Sequence, residues 1–279
     1  MDMDTFSDVG SPSTFSVTVI TGFMLLVPFV SWLVHRVQQG YREFLALGPG
    51  GTPSTFAGYI RVSILRIFAL KDPFSPPSIP ENLRPQSGIL KDLPIRDGPR
   101  PKIAGIAPQR QTTQRGTPEM YEMLCEEIKT ISRCNADRLY LGTSCFEKHS
   151  TGLFSLSKLD SRPTCNGEVC HSHPSDGSMH LTLHPADVRY VIERGWGERH
   201  PLARDSWWWP FRFVPPGFVM IYAPRTVGEL ECVTKIIHAA SWWVSGMEPR
   251  RTGEKQTVQV EVGHEGGRIV AQQRRLLRN

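Results

Sequence analysis

Two neighbouring stretches, Val169 to His173 and Ser178 to His184, alternate along the chain, and Pro174-Ser175-Asp176-Gly177 between them is built from turn formers. The pattern predicts a β-hairpin, because successive side chains of a strand point to opposite faces. Met179, Leu181 and Leu183 then face a core, while His180, Thr182 and His184 share the other face with His171 and His173. A turn through 174–177 sets His173 opposite Ser178 and His171 opposite His180, so three imidazoles converge on one wall. Around this hairpin, Thr117-Pro118-Glu119 opens a helix running to about Cys134, with proline in the first turn where its missing N–H costs nothing. Leu139 to Thr143 and Phe218 to Ala223 read as strands. Pro185 begins a helix that Gly195 ends, and Thr226 with Glu229 forms a capping box for a helix to about Val244. Short strands among separate helices predict an α+β fold, an antiparallel sheet flanked by helices.

Ahead of this domain, Val17 to Val34 is an uncharged, largely apolar run. A bilayer takes about 20 apolar residues to span, so 17–37 is expected to be a transmembrane anchor kinked at Pro28. Residues 1–16 carry Asp2, Asp4 and Asp8 and no basic residue, which argues against a cleaved signal peptide. Arg36 and Arg42 follow the span, so the short N-terminus is expected in the lumen and the body in the cytosol. The expectation is a single-pass protein of the endoplasmic reticulum. Within 38–100, the segment 54–71 is hydrophobic but broken by Arg61, Arg66 and Lys71. It reads as a basic amphipathic helix, lying on the anionic leaflet or against the domain. Pro73 to Pro101 follows as a Pro/Gly-rich connector, 101–248 forms the catalytic domain, and 249–279 is a tail.

Charge narrows the partners. The chain carries +5 overall, yet 250–279 alone holds seven Lys/Arg against three Glu, leaving the body near neutrality. The basic balance therefore indicates a disordered tail rather than a nucleic-acid surface. Six cysteines without a CxxC pair read as reduced thiols, with Cys170 facing the core.

The histidine wall is the candidate chemistry. Imidazole titrates nearest neutrality, so clustered histidines point to proton transfer or metal binding. A lone histidine on a half-buried strand is usually a structural hydrogen-bonder, but three on one face are costly to bury without a purpose. His-x-His on a strand offers two nitrogens to one ion. The zinc deubiquitinase signature also begins His-Ser-His-Pro, but it needs serine at 181 and aspartate at 184, where Leu181 and His184 stand. The cupin pattern needs glutamate where Gly177 and Ser178 stand. The expectation is a centre without metal.

Four further strings occur in order: Leu93-Pro94-Ile95-Arg96-Asp97-Gly98-Pro99-Arg100-Pro101, Gln109-Arg110-Gln111-Thr112-Thr113-Gln114, Gly195-Trp196-Gly197-Glu198-Arg199-His200-Pro201-Leu202-Ala203, and Tyr222-Ala223-Pro224-Arg225. Together with the histidine hairpin, this ordered set resembles the fungal luciferase family and its wider luciferase-domain relatives, over roughly 40–247. The resemblance implies a cofactor-independent oxygenase with O2 as co-substrate. Luminescent members add O2 to 3-hydroxyhispidin, an α-pyrone, and the endoperoxide loses CO2 to leave an excited product. Light emission does not follow from the resemblance. The chain departs from the luminescent pattern in a turn between His173 and His180 that is one residue shorter and lacks an extra histidine. It departs again in the longer, more aromatic segment 204–217, with Trp207-Trp208-Trp209-Pro210-Phe211-Arg212-Phe213.

The expected catalytic residues are therefore His171, His173, His180 and His200, the last tipped toward the site by the resemblance. Trp196 stacks on a flat substrate or plugs the core. Arg110 and Arg225 hold an enolate or pyrone oxygen or are solvated, and Tyr222 turns its hydroxyl to the pocket. The aromatic run 207–213 is a lid or an interfacial anchor. The expected partners are a small aromatic or pyrone substrate and a membrane, with no nucleic acid. Non-oxidative tailoring (hydrolysis, decarboxylation or cyclisation) and ligand binding without turnover remain the alternatives.

Overall fold

The computed structural model describes residues 14–157, 159, 164–204, 214–250, 261–265 and 268–272, with side chains described between Met24 and Arg250. Helix α1 (Thr14–Ala46) runs continuously through Pro28. Among the described residues no helix is long and apolar enough to cross a membrane, so the expected span at 17–37 finds no support there. Part of that span, up to residue 23, lies outside the described side chains. Helix α2 (Phe56–Arg66) starts at Thr55, whose Oγ1 accepts from the Gly58 amide at 3.1 Å. It buries Val62 and Leu65 and meets α1 through aromatic contacts, Tyr41 to Phe56 at 5.5 Å and Phe44 to Tyr59 at 6.2 Å. The buried stripe packs the helix against the domain, one of the two placements left open for 54–71.

Strands β1 (Ile103–Gly105) and β2 (Gln109–Gln111) form a small antiparallel hairpin. Helix α3 (Pro118–Cys134) begins as its sequence dictates, with Thr117 accepting from the Met120 amide. It buries Met120, Leu124, Ile128 and Ile131, one stripe at helical spacing. The main sheet follows: β3 (Leu139–Thr143), β4 (Thr151–Ser155), β5 (Glu168–Ser172) and β6 (Met179–Thr182), then, after helix α4 (Pro185–Glu193), β7 (Gly197–Arg199) and β8 (Phe218–Ile221). All neighbours are antiparallel, in the order β3-β4-β5-β6-β8-β7. Helix α5 (Val227–Ser245) is capped by Thr226 and ends at Gly246. The Glu229 carboxylate reaches back to the Arg225 amide, one residue beyond a capping box. The α+β expectation holds.

The sheet has two different faces. Leu153, Cys170, Met179, Leu181, Val219 and Ile221 form a core with Val233, Ile236, Ile237 and Ala240 of α5. Gly152, His171, His180, Met220 and Glu198 share the other face, because each stands in register with the next. A second cluster covers part of that face: Phe44, Val62, Leu65, Ile106, Leu202, Val214 and Phe218. Within 38–100, the expected connector 73–101 holds no helix or strand and lies against the domain. Leu93 enters the main core, and the Ile89 and Leu90 amides donate to the Asp187 carboxylate at 3.2 and 2.9 Å.

Two expectations need correction. His184 does not share the histidine wall, because β6 ends at Thr182 and the chain turns into α4. His184 becomes its N-cap, accepting from the Ala186 amide at 3.0 Å, and packs edge-on against Trp243 at 4.8 Å. The tail expected to be disordered contains a hairpin, β9 (Glu261–Glu265) with β10 (Arg268–Gln272).

Candidate active site

The histidine hairpin has the expected register, with His171 opposite His180 and the His173 amide donating to Ser178 O at 2.8 Å. Gly177 closes the turn at φ 76°, a conformation that side chains disfavour. The rings converge: centroids lie 5.3 Å apart for His171–His173 and His171–His180, and 4.6 Å for His173–His180. All three are buried, and the His180 ring stacks on Phe218 at 5.0 Å and 15°.

Each ring is fixed from outside the cluster. His171 Nδ1 contacts Glu168 Oε1 at 2.7 Å, and that carboxylate also accepts from Ser144 Oγ and the Cys145 amide. Strict alternation would place Glu168 on the opposite face from His171. A bulge puts it beside His171: Cys170 pairs with Leu153 but Glu168 with Phe154, so Val169 is the extra residue. His173 Nδ1 contacts Ser178 Oγ at 2.8 Å, and Ser178 Oγ donates to Asp176 Oδ1 at 2.6 Å. Asp176 also accepts from the amides of Ser178 and Gln111. His180 Nε2 meets Gln109 Oε1 at 2.9 Å, and Gln109 turns its amide nitrogen to Glu198. Glu168, Asp176, Ser178 and Gln109 were not expected from the sequence. The only signal for them was polar residues at positions that must be buried.

A cavity of about 240 Å³ opens beside the cluster, lined by His171, His180, His200, Arg110, Glu147 and Phe218 among others. That is slightly below the roughly 300–1,000 Å³ of most ligand pockets, a fit for a small flat molecule. Arg110 pairs with Glu147, donates to Pro49 O at 2.6 Å and Gln109 O at 3.0 Å, and keeps a buried Nε–H without a partner among the described residues. Gly51 lets the chain pass here, since a Cβ would meet Phe146 O at 1.9 Å.

Burial sets the protonation states. It holds His173 and His180 well below the ordinary imidazole value, and the neighbouring rings and Arg110 push the same way. At neutral pH these two rings are uncharged, each with one N–H and one lone pair. Burial also raises the Glu147 carboxyl, against the opposing pull of Arg110, and lifts Glu198 to about 7.

The remaining expected residues divide. Arg110 and His200 line the cavity, but both His200 nitrogens are committed, Nε2 to Ile106 O at 2.9 Å and Nδ1 to the Leu202 amide at 3.1 Å. Burial brings His200 down to about 4. It shapes the wall and has no nitrogen free for catalysis. Trp196, Tyr222 and Arg225 do not line this cavity. Trp196 sits in the core on the helix side and donates to Pro94 O at 2.7 Å. Tyr222 gives its hydroxyl to Glu198 at 3.1 Å, and Arg225 forks onto Glu229. The aromatic run 207–213 lies outside the described residues.

Comparison with known proteins places this hairpin in a family. A Luciferase domain model matches residues 166–240, which hold the histidine hairpin, β7, β8 and most of α5. The luciferase of Neonothopanus nambi is 30% identical over 249 residues, covering 84% of this chain and 90% of that protein. Luciferases of Armillaria mellea and Armillaria gallica are 33% and 31% identical, each covering 73% of this chain and 80% of theirs. No solved structure gives a significant match. A matching domain model over the hairpin, and relatives that cover 73–84% of the chain, establish that the protein belongs to the fungal luciferase family, a family of O2-using oxidoreductases.

Proposed function

We propose that this protein is an oxygenase for a hydroxylated α-pyrone or related polyketide, of the 3-hydroxyhispidin type. The observation that carries the reading is the convergence of three buried imidazoles, two of which line a small cavity together with Arg110, whose Nε–H has no partner among the described residues. The wall takes the acidic enol proton of the substrate, and the Arg110 guanidinium stabilises the resulting oxyanion. The enolate is electron-rich enough to pass one electron to O2, and the radical pair joins as a carbon-bound peroxide. Its distal oxygen closes on the lactone carbonyl, and the endoperoxide breaks with loss of CO2. Substrate and O2 supply every atom and electron, so no organic redox cofactor is required. Burial protects the peroxide from water.

Oxygen-electrode traces with 3-hydroxyhispidin test this. Uptake of O2 with release of CO2 is expected; turnover without O2 uptake would instead favour a hydrolase, decarboxylase or cyclase.

We also infer membrane association at the endoplasmic reticulum, with the catalytic domain cytosolic. Supporting it are the exposed Met24, Leu25, Leu26, Phe29, Trp32 and Leu33 of α1, and the exposed stripe Phe56, Ile60, Ile64 and Ile67 on α2. A monomer rarely leaves so much contiguous apolar surface in water. Retention in the pellet after an alkaline carbonate wash of membranes is expected, and complete release into the supernatant would count against an embedded segment.

A further inference from the structure

The three rings present an unusual proton count. Glu168 accepts from two other groups besides His171, so His171 Nδ1 must be the donor to it. Ser178 has one hydroxyl proton and gives it to Asp176, so His173 Nδ1 must donate to Ser178. Gln109 turns its amide nitrogen to Glu198, so its oxygen accepts from His180 Nε2. Every outer nitrogen is then protonated. The inner ones, His171 Nε2, His173 Nε2 and His180 Nδ1, are bare in the neutral rings. His173 Nε2 and His180 Nδ1 nevertheless approach to 2.9 Å, which leaves two lone pairs facing each other with no hydrogen between them. Such a contact calls for a positive centre on the two nitrogens, a shared proton or a metal ion.

We propose that His171, His173 and His180 form a three-nitrogen site for a divalent first-row transition-metal ion. One ring nitrogen from each lies within 4.8 Å of those of the other two. Metal–nitrogen bonds of about 2.0–2.1 Å put neighbouring ligands roughly 3 Å apart, the spacing the closest pair already has. The outer partners are those a metal centre needs: Glu168, Ser178 backed by Asp176, and Gln109 each fix a ring and its tautomer from a different direction. Gln109 comes from a different hairpin, 71 residues from His180 in the chain, so local sequence preference does not account for its place here. His171 and His180 line the cavity, so an ion held between the rings borders the space proposed for substrate. With the ion bound, its charge takes over from the imidazole lone pairs in favouring the enolate.

The ligand set was not visible from known signatures because the third ligand stands across the hairpin. The site rests on rings and their partners rather than on the oxygenase reading, so metal content and O2 uptake are measured separately.

The test is elemental analysis of full-length protein without a polyhistidine tag, purified from cells grown with added zinc, iron and manganese, together with Co(II) titration of chelator-treated protein. About one ion per chain and a visible-region Co(II) band are expected. His173→Gln should lose both while its far-UV circular dichroism is unchanged, and Glu168→Gln should weaken Co(II) binding by roughly 10–100-fold. His200→Gln should keep the ion, since that ring has no free nitrogen. Trace metal with no Co(II) band in the wild type overturns the site, and so does equal binding by His173→Gln. Failure here with O2 uptake intact would leave the imidazoles as the base; binding without O2 uptake would remove the oxygenase reading and keep the site.

Discussion

His180→Ala is expected to cut substrate-dependent O2 uptake by roughly 10³-fold or more while leaving the domain folded. His180 joins the two halves of the centre. Its Nδ1 faces His173 Nε2 and its Nε2 holds Gln109, both at 2.9 Å, while its ring lies on Phe218 at the cavity wall. Alanine removes the nitrogen nearest His173 and releases Gln109 at once. The loss follows whether the ring acts as base or as ligand. His171→Ala should behave alike, since His171 is the other ring of the trio that borders the cavity. Oxygen-electrode rates and far-UV circular dichroism on the same samples decide the matter. A folded His180→Ala protein within about 10-fold of wild type would remove the cluster from the chemistry.

The adjacent position should respond in the opposite way. Leu181 is fully buried on the other face of the same strand, between Cys170 and Val219 in the sheet and within the core built on α5. Leu181→Ala leaves a cavity where the surroundings relax only partly, and should destabilise the fold by about 3–5 kcal/mol. For a domain of this size that corresponds to a fall of roughly 6–20 °C in melting temperature. Below its own melting transition, the variant should consume O2 at near wild-type rates per folded molecule. Thermal unfolding followed by rate measurement at low temperature separates the two quantities. A large rate loss in the folded variant would show that the core face and the site are not independent.

This contrast between residues 180 and 181 was legible in the sequence, since strand alternation alone assigns neighbouring side chains to opposite faces. The turn through 174–177 then fixed the register that brings His171 to His180. Alternation stopped being a guide where the backbone broke it. The bulge at Val169 carries Glu168 to the histidine face, and the end of β6 at Thr182 turns His184 into a helix cap. The cover over the site was hidden for a different reason. Gln109 and Glu147 come from a short hairpin and a loop without periodicity, and only tertiary contact brings them to the cavity, whereas Arg110 was marked by the resemblance. Trp196, Tyr222 and Arg225 had chemically suitable side chains, but their hydrogen bonds to Pro94, Glu198 and Glu229 engage them elsewhere.

The most direct test of the oxygenase account follows the atoms of O2. Turnover of 3-hydroxyhispidin under 18O2 in ordinary water, read by mass spectrometry, should put one labelled oxygen in the released CO2 and one in the organic product. Unlabelled CO2 and product, with label appearing only when the water is enriched, would contradict the account and identify a hydrolytic reaction at the same cavity.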